Sequence, residues 1–199
     1  MPLCPKKLLW KHLYTNVYSI IHMDKKLAIL KYFFEDPTAE FYIREIARLA
    51  KLNHMTVRSY LNQLVKEGLL KKKKAKLYPA YSANVSNKQF LNLKLYHNLE
   101  EIRKSEVTEE LEQFYDYPVI VLFVSYSYAT NTKDSDIDLF LLTNILKEFK
   151  TEKYEKSLKR RISLHKFSEK EFQNMKIKNP ELINNICNGL VLSVKLEVL

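Results

Sequence analysis

Hydrophobic residues near the start of the chain recur at the spacing of an α-helix. Leu27, Leu30 and Phe34 fall on one face of a first predicted helix, because positions three or four apart are neighbours on a helix surface. Asp24 precedes this face and is placed to cap the helix N-terminus. Asp36-Pro37 ends the helix, since the residue before a proline is disfavoured in the helical conformation.

Two more helices and a hairpin are predicted before residue 85. The second helix is short, and its apolar positions are Ile43, Ile46, Ala47 and Ala50. The third follows a turn, and its apolar face holds Val57, Leu61, Leu64 and Val65. Gly68 is placed to end it. Apolar segments at Leu69-Leu70 and Leu77 to Tyr81 then bracket a lysine-rich stretch, which predicts two paired strands.

A long connector follows, with helical spacing from Ser86 to Glu112. Its apolar positions are Phe90, Leu91, Leu95, Leu99 and Ile102. A break near Ser105-Glu106 separates a short second helix from Val107 to Phe114. This connector also offers a seam for a homodimer.

The last part of the chain alternates short apolar runs with helical segments. The predicted strands are Val119 to Val124, a second one carrying Asp136 and Asp138 up to Leu142, and Ile162 to Phe167. Val191 to Val198 is a final apolar stretch. The predicted helices are Asn144 to Lys159, one starting at the capping box of Ser168 and Glu171, and Glu181 to Asn188 after Pro180.

Asp136 and Asp138 are the most informative pair of residues. Alternate residues of a strand point to the same face, so the two carboxylates project together while Ile137 and Leu139 point into the core. Like charges on an apolar strand are costly without a positive partner, and Mg²⁺ is a suitable one. A second interpretation stays open, in which Ser135 and the Asp side chains cap a turn.

Charge is distributed unevenly along the chain. The net charge is +10, and residues 24–85 hold 13 Lys and Arg against 6 Asp and Glu. Residues 86–199 hold 17 of each sign and are neutral. This asymmetry predicts a polyanion-binding N-terminal part joined to a neutral C-terminal part.

Composition excludes several classes of protein. With 2 Gly in 199 residues there is no glycine-rich phosphate loop, so P-loop and Rossmann folds are excluded. No apolar run approaches the roughly 18 residues of a membrane helix. Cys4 and Cys187 lack metal-ligand spacing and fit a reducing cytoplasm, where we expect the protein to be located.

The segment FYIREIARLAKLNHMTVRSYLNQLVKEGLL, from Phe41 to Leu70, resembles a winged helix-turn-helix domain, and the resemblance covers roughly residues 24–83. It implies that the third helix enters the major groove of double-stranded DNA. Its exposed residues would then contact base edges, namely His54, Met55, Thr56, Arg58, Ser59 and Asn62. The wing would contact phosphates through Lys71, Lys72, Lys73, Lys74 and Lys76. An alternative role is protein docking or dimerisation.

The run VIVLFVSYSYATNTKDSDIDLFLL, from Val119 to Leu142, resembles the minimal nucleotidyltransferases of the polymerase-beta superfamily. That family has an apolar strand, Gly-Ser, and then Asp-x-Asp or Asp-x-Glu. Ser125 matches the Ser, while Asp136 and Asp138 match the metal-binding carboxylates. The resemblance implies that Val124 and Ser125 contact a nucleotide, and that the carboxylates bind Mg²⁺ for catalysis.

Several positions depart from the nucleotidyltransferase pattern. Val124 replaces the Gly, and its side chain would crowd a phosphate; replacing Val124 by Gly is expected to cost some fold stability. Tyr128 and Ala129 stand where the family commonly has Arg and Gly. The next strand, Ile162 to Phe167, offers Ser163 and His165 but no third carboxylate. The basic cluster of Lys159, Arg160 and Arg161 lies nearby in sequence.

The chain is therefore predicted to be an α+β protein with four parts. These are an N-terminal arm (1–23), a winged helix-turn-helix domain (24–85), a helical connector (86–115) and a nucleotidyltransferase-like α/β domain with a small mixed sheet (116–199).

Two functions are compatible with these parts. One is a DNA-binding regulator, transcriptional or of the antitoxin type, with weak or lost transferase activity. The other is an active Mg²⁺-dependent nucleotidyltransferase that moves a nucleotide from an NTP to a small acceptor or to a protein. The resemblance suggests a HEPN-type ribonuclease toxin as that protein.

Overall fold

The computed structural model describes residues 25–74 and 78–193. Contacts divide the chain into two compact units, Met1–Asn87 and Lys88–Leu199. Several predicted features lie outside the described residues. These are the arm of residues 1–23, the Asp24 cap, Lys76 and Leu77 of the hairpin, and the final apolar stretch beyond residue 193.

Within the described residues, the first unit has three helices and a small sheet. Its elements are α1 (25–35), β1 (Glu40–Tyr42), α2 (Ile43–Ala50), α3 (His54–Lys66), β2 (Leu70–Lys73) and β3 (Ala80–Ala83). The strands are antiparallel in the order β1-β3-β2. The predicted helices and hairpin are present, and β1 adds a strand that the apolar pattern did not predict.

Apolar faces of the three helices form the core of the first unit. Ile29, Leu30, Phe33 and Phe34 of α1 are buried, whereas Leu27 is only half-buried. α1 ends immediately before Asp36-Pro37, as the proline predicts. At the start of α3, the Asn53 side chain accepts a hydrogen bond from the Met55 amide at 2.8 Å, which satisfies an otherwise unpaired helix donor.

The second unit is a four-stranded sheet with helices on both faces. Its elements are α4 (Lys88–Lys104), α5 (Val107–Phe114), β4 (Val119–Phe123), β5 (Ile137–Leu142), α6 (Glu152–Leu158), β6 (Ile162–Phe167), α7 (Glu169–Lys178), α8 (Pro180–Cys187) and β7 (Leu190–Ser193). The strand order is β6-β5-β4-β7, and only β5 and β6 are parallel among these strands. The predicted α+β class with a small mixed sheet is therefore confirmed.

Alternate residues of the central strands supply two hydrophobic cores. Ile120, Leu122, Ile137, Leu139 and Leu141 lie in one core with residues of α4, α5 and α6. Val121, Phe123 and Phe140 lie in the other with residues of α7 and α8. A strand buried on both faces must be apolar at successive positions, which explains the unbroken runs in β4 and β5.

The prediction of a helix from Asn144 to Lys159 is wrong in its first half. The helix α6 begins only at Glu152, and residues 145–150 form an irregular segment. Carbonyl groups in this segment bond to side chains instead of to a helical turn. The Tyr115 hydroxyl donates to the Lys147 carbonyl at 2.9 Å, and the Lys166 ammonium donates to the same carbonyl at 3.0 Å.

The connector differs from the prediction in which face it buries. Phe90, Lys94, Asn98 and Ile102 are the buried positions of α4, whereas Leu91, Leu95 and Leu99 are half-buried. The contacts place both connector helices in the second unit. No helix within the described ranges has the length and hydropathy that spanning a bilayer requires.

Candidate nucleic-acid interface and carboxylate site

One face of α3 is polar and exposed. Val57, Tyr60, Leu61 and Leu64 turn towards the core, and this burial fixes which side chains point outwards. The exposed residues on the other side are His54, Met55, Arg58, Ser59 and Asn62. Thr56 is half-buried beside them. All six predicted base-contacting residues of the helix therefore lie at or next to its outer surface.

Tyr81 connects this helix face with the lysine-rich strand β2. Its side chain is buried, and its hydroxyl donates a hydrogen bond to Asn62 Oδ1 at 3.3 Å. Lys72 lies with its Nζ 6.0 Å from the Tyr81 ring centre. Burial raises the pKa of Tyr81, and the positive charge of Arg58 opposes that shift. Arg58, Asn62 and Lys72 therefore form one continuous polar surface around Tyr81.

The four lysines of the predicted wing are exposed, but three of them lie in a strand. Lys71, Lys72 and Lys73 belong to β2, and Lys74 follows it. Lys71 and Lys73 pair with Ser82 and Ala80, so they point to the sheet face opposite Lys72. The lysine-rich stretch was predicted to lie between the two strands of the hairpin. This prediction is corrected, because the strand pairing extends through Lys73.

Lys73 differs from the other lysines of the strand in having an acidic partner. Its Nζ lies 2.5 Å from Glu40 Oε1 on β1. A hydrogen bond to Glu40 and the Glu40 charge raise the pKa of Lys73. The carboxylate offsets part of the positive charge of this surface.

A tight turn follows β4 in the second unit. Val124 has φ 57° and Ala129 has φ 56°, both in the left-handed region. The Thr130 amide donates to the Ser125 carbonyl at 2.9 Å, and the Ser127 hydroxyl donates to the Val124 carbonyl at 2.8 Å. These two positions are the ones where the resembled family has glycine. The backbone conformation is thus a second reason for glycine there, besides close approach of a phosphate.

Asp138 lies on the sheet face that also carries Phe123 and Phe140. Its Oδ1 is 3.4 Å from His165 Nε2, and Ser163 Oγ is 3.2 Å from that same nitrogen. Burial raises the pKa of Asp138, the His165 hydrogen bond opposes the shift, and the charge of Asp136 adds to it. Since both the hydroxyl and the carboxylate meet Nε2, the three groups do not form a relay through the two imidazole nitrogens.

Asp136 directly precedes β5 and is half-buried. The neighbouring turn is closed by Ser135, whose Oγ accepts a hydrogen bond from the Thr132 amide at 2.9 Å. In the described part of the chain neither Asp136 nor Asp138 makes such a turn bond. The turn-capping interpretation therefore applies to Ser135 and not to the two carboxylates.

The donor set near Asp138 is small for a metal site. Within residues 25–74 and 78–193, no three His, Cys, Asp or Glu side chains are grouped so that they would bind one metal ion. Mg²⁺ is often bound by one or two protein carboxylates, with water and substrate phosphates as the remaining ligands. Asp136 and Asp138 fit that mode only if a phosphate ligand is also present.

A buried polar network, which the apolar pattern did not predict, fixes the turn after β4. Lys94 of α4 is completely buried, and its Nζ donates to the Asn131 carbonyl. Asn98 Nδ2 donates to Asn131 Oδ1 at 2.9 Å and to the Tyr126 carbonyl at 3.2 Å. The spacing of Phe90, Lys94, Asn98 and Ile102 could have indicated that the two polar residues are buried with the two apolar ones, because residues four apart share a helix face.

The basic cluster of Lys159, Arg160 and Arg161 lies beside this turn. Arg160 Nε donates to the Tyr126 hydroxyl at 3.2 Å. The Ile137 amide donates to the Arg161 carbonyl at 2.9 Å, which places the cluster next to Asp136 in the sheet. Arg160 therefore supports the turn through Tyr126.

Comparison with known proteins finds similarity in the N-terminal part of the chain. Residues 29–119 match the family described as Penicillinase repressor. The crystal structure of Sso10a-2, a DNA-binding protein from Sulfolobus solfataricus, is 20% identical over 44% of this chain and 93% of that chain, with a TM-score of 0.32. No curated protein matches the chain. The three helices and small antiparallel sheet of the first unit form a winged-helix-like fold, which is consistent with the similarity to this repressor family. The match ends at Val119, before the carboxylate site.

Proposed function

We propose that this protein is a transcriptional regulator that binds specific DNA sites through α3. The observation that carries this proposal is the exposed polar row of α3, which continues through Tyr81 to Lys72. Arg58 and Asn62 have the donor and acceptor groups that distinguish base edges in the major groove. Lys71, Lys72 and Lys74 would bind phosphates on either side of the base contacts.

The proposal includes a homodimer on a two-fold symmetric site. The repressor-type match extends past the winged helix into α4 and α5, so these helices belong to the matched region. Leu91 and Leu95 of α4 are only half-buried and offer apolar surface for a second copy. Dimeric binding would place two α3 helices about one turn of DNA apart.

For the second unit we propose a nucleotidyltransferase-like domain with weak or lost transferase activity. The pairing of Asp138 with His165 supports this proposal, because it occupies a carboxylate that metal-dependent transfer would use. The β6 strand supplies Ser163 and His165 at the place where the resembled family supplies a third carboxylate. The domain would then serve the regulator as a dimerisation or ligand-sensing module.

The salt dependence of DNA binding tests the main proposal. Phosphate contacts release bound counterions, so log K should fall linearly with log salt concentration, by about 0.9 for each phosphate contacted. Full-length protein and a labelled duplex would be titrated at several salt concentrations. The double variant Lys71→Ala/Lys72→Ala should flatten the slope by about two. The matched double variant Lys153→Ala/Lys156→Ala, on α6, should leave it unchanged. Equal slopes in all three proteins would contradict the proposal.

The second candidate function is an active Mg²⁺-dependent nucleotidyltransferase. The left-handed conformation at Val124 and Ala129 favours it, because the turn keeps the shape that the resembled family builds with glycine. Asp136 and Asp138 would hold the metal, and Ser125 would contact the NTP phosphates. Bound Mg²⁺ would neutralise triphosphate charge and polarise the attacked phosphorus. The acceptor would be a small molecule or a protein such as a HEPN-type toxin.

Calorimetry separates the two candidate functions. ATP would be titrated into the wild type and the Asp136→Ala variant, each with and without Mg²⁺. An active transferase predicts Mg²⁺-dependent ATP binding in the wild type that Asp136→Ala abolishes. Transfer of labelled nucleotide to the protein or to co-purifying partners would then make the enzyme the preferred function. The regulator without transferase activity predicts no turnover under the same conditions.

A further inference from the structure

The outer face of the first-unit sheet carries aromatic and basic side chains together. Tyr42 and Lys73 both pair with Ala80, so their side chains lie on the same face in one row across the sheet. Lys71 and Glu40 form the next row through Ser82. Ala80 is buried at the centre of this face.

A small notch opens at the end of this face that is nearest the hairpin loop. Its volume is about 120 Å³, and it is lined by Tyr42, Ile43, Arg44, Tyr78 and Pro79. Tyr42 is 47% exposed and Tyr78 is 62% exposed, so two aromatic rings stand open to solvent at one position. Large aromatic side chains exposed together are a common mark of a binding surface.

Charge around the notch favours an anionic ligand. Arg44 lines it and is exposed, and the exposed Lys73 ends β2 of the same sheet, with Lys74 directly after it. The nearby carboxylates are already engaged. Glu40 pairs with Lys73 at 2.5 Å, and Glu45 Oε2 accepts a hydrogen bond from the Tyr42 amide at 3.3 Å.

We propose that this notch binds the sugar-phosphate backbone of DNA flanking the bases contacted by α3. A deoxyribose would pack on the rings of Tyr42 and Tyr78, and its phosphate would meet the Arg44 guanidinium and a tyrosine hydroxyl. Both residue types commonly contact phosphates in DNA complexes. The inference rests on the proposed DNA-binding function and adds a contact outside the recognition helix. It implies that affinity depends on flanking DNA of any sequence.

Double-stranded DNA suits this surface better than a protein segment does. The same sheet carries Lys71 and Lys73 on this face and Lys72 on the face towards α3, so basic side chains are present on both faces of the sheet. An acidic peptide would also match the charges. It would not explain why the notch adjoins β3, the strand whose Tyr81 contacts Asn62 of α3. The contact therefore continues the interface described above.

Duplexes of different length test the inference. A duplex selected from a random pool by the full-length protein would be prepared at its minimal length and with both ends extended by about half a helical turn, roughly five base pairs. The wild type should bind the extended duplex about tenfold more tightly, since aromatic packing and one phosphate contact are gained. Tyr78→Ala and Arg44→Ala should reduce that ratio to near one. Arg44→Ala should also lower the salt slope by about one.

Control variants keep the test interpretable. Tyr78→Phe retains the ring and should retain most of the length effect, and Tyr96→Ala, an exposed tyrosine of α4, should retain all of it. Arg58→Ala should lose sequence preference while keeping the length effect, which separates the notch from α3. A wild-type ratio of one, or an unchanged ratio in Tyr78→Ala and Arg44→Ala, would overturn the inference while leaving the proposed function intact. Absence of any DNA binding by the wild type would overturn both.

Discussion

Val124 has a backbone conformation that a β-branched residue seldom adopts. At φ 57° its Cβ crowds the following carbonyl group, which costs about 1–2 kcal/mol for an L-residue. The side chain is 40% exposed, so its packing returns little of that energy. The sequence-based expectation that glycine would destabilise this position is therefore reversed by the φ value. Strain of this kind cannot be recognised in a sequence that lacks the glycine.

Val124→Gly is expected to stabilise the protein by about 1 kcal/mol. The relief of left-handed strain exceeds the larger conformational entropy that glycine loses on folding. Urea unfolding followed by circular dichroism would measure the change in the free energy of unfolding. The control is Val191→Gly, an exposed valine of β7 with ordinary φ, which should destabilise by about 1 kcal/mol. A loss of stability in both variants would show that Val124 is not strained.

Asp138 gives a pH-dependent prediction. Burial raises its pKa in the folded chain, so folding favours the protonated carboxyl and the ionised form costs stability. That cost is absent below the ordinary pKa of 3.8, grows as the pH rises from 3.8 to the higher folded pKa, and stays constant above it. Asp138→Asn should therefore be more stable than the wild type at neutral pH, and the difference should vanish in acid.

Denaturant unfolding of both proteins across this pH range would measure the effect. Asp134→Asn provides the control, because Asp134 is exposed in the turn before β5 and should change stability little at either pH. A less stable Asp138→Asn at neutral pH would mean that the hydrogen bond to His165 outweighs the cost of burial.

At the scale of elements, a carboxylate on β1 offsets part of the positive charge of the lysine-rich strand β2. Glu40 holds Lys73 at 2.5 Å, so a DNA phosphate must compete with a carboxylate for this lysine. Glu40→Gln should raise DNA affinity about two- to fivefold at low salt and steepen the salt dependence. Fluorescence anisotropy of a labelled duplex would measure both quantities. Glu101→Gln, which loosens an exposed pair with Lys104 on α4, should change neither. Lower or unchanged affinity for Glu40→Gln would remove Lys73 from the interface.

The buried face of α4 stabilises the turn after β4 through polar contacts. Asn98 satisfies the Tyr126 carbonyl and Asn131 Oδ1, and it is almost completely buried. Asn98→Ala should destabilise the second unit by about 1–3 kcal/mol, because Asn131 Oδ1 loses this donor and the Tyr126 carbonyl keeps only the Ala129 amide at 3.3 Å. Asn92→Ala, at an exposed position of the same helix, should stay within about 0.5 kcal/mol of the wild type. Thermal and urea unfolding would compare the two variants. Similar stability in both would contradict the role of the network.

Elements with a local signal were predictable from sequence, and those set by distant contacts were not. The bounds of α5 and β6 agree with the prediction to the residue, because each is an apolar pattern bounded by clear breaks. The residues from Asn144 to Lys150 have helical spacing, yet Tyr115 and Lys166 bind their carbonyl groups from elsewhere in the chain. The burial of Lys94 and Asn98 was unpredictable for the same reason, since their hydrogen-bond partner Asn131 is more than thirty positions away in the chain.

The exposed face of α3 was predictable because helix period alone determines it. Once Val57, Leu61 and Leu64 are buried, Arg58, Ser59 and Asn62 must point outwards. The hydrogen bond between Tyr81 and Asn62 and the pairing of Glu40 with Lys73 required the sheet register. The position of Glu40 is set by β1, a strand of three residues of which only one is half-buried. Such a short segment has no apolar pattern that would predict a strand.

At the scale of the whole molecule, charge and composition separate two tasks. Residues 24–85 carry 13 Lys and Arg against 6 Asp and Glu, while residues 86–199 are neutral. The basic part coincides with the winged-helix domain, whose affinity for DNA has to come largely from phosphate contacts. The neutral part has a packed sheet with Asp138 and His165 on one face.

Sequence preference in DNA binding tests the central claim most directly. Full-length protein would be titrated against a duplex selected from a random pool and against a scrambled duplex of equal length, at one fixed salt concentration. The wild type should prefer the selected duplex by about 10³-fold or more. Arg58→Ala should lose much of this preference while binding the scrambled duplex almost as well as the wild type. A wild type without preference, or an Arg58→Ala variant weakened equally on both duplexes, would contradict the account that α3 contacts base edges.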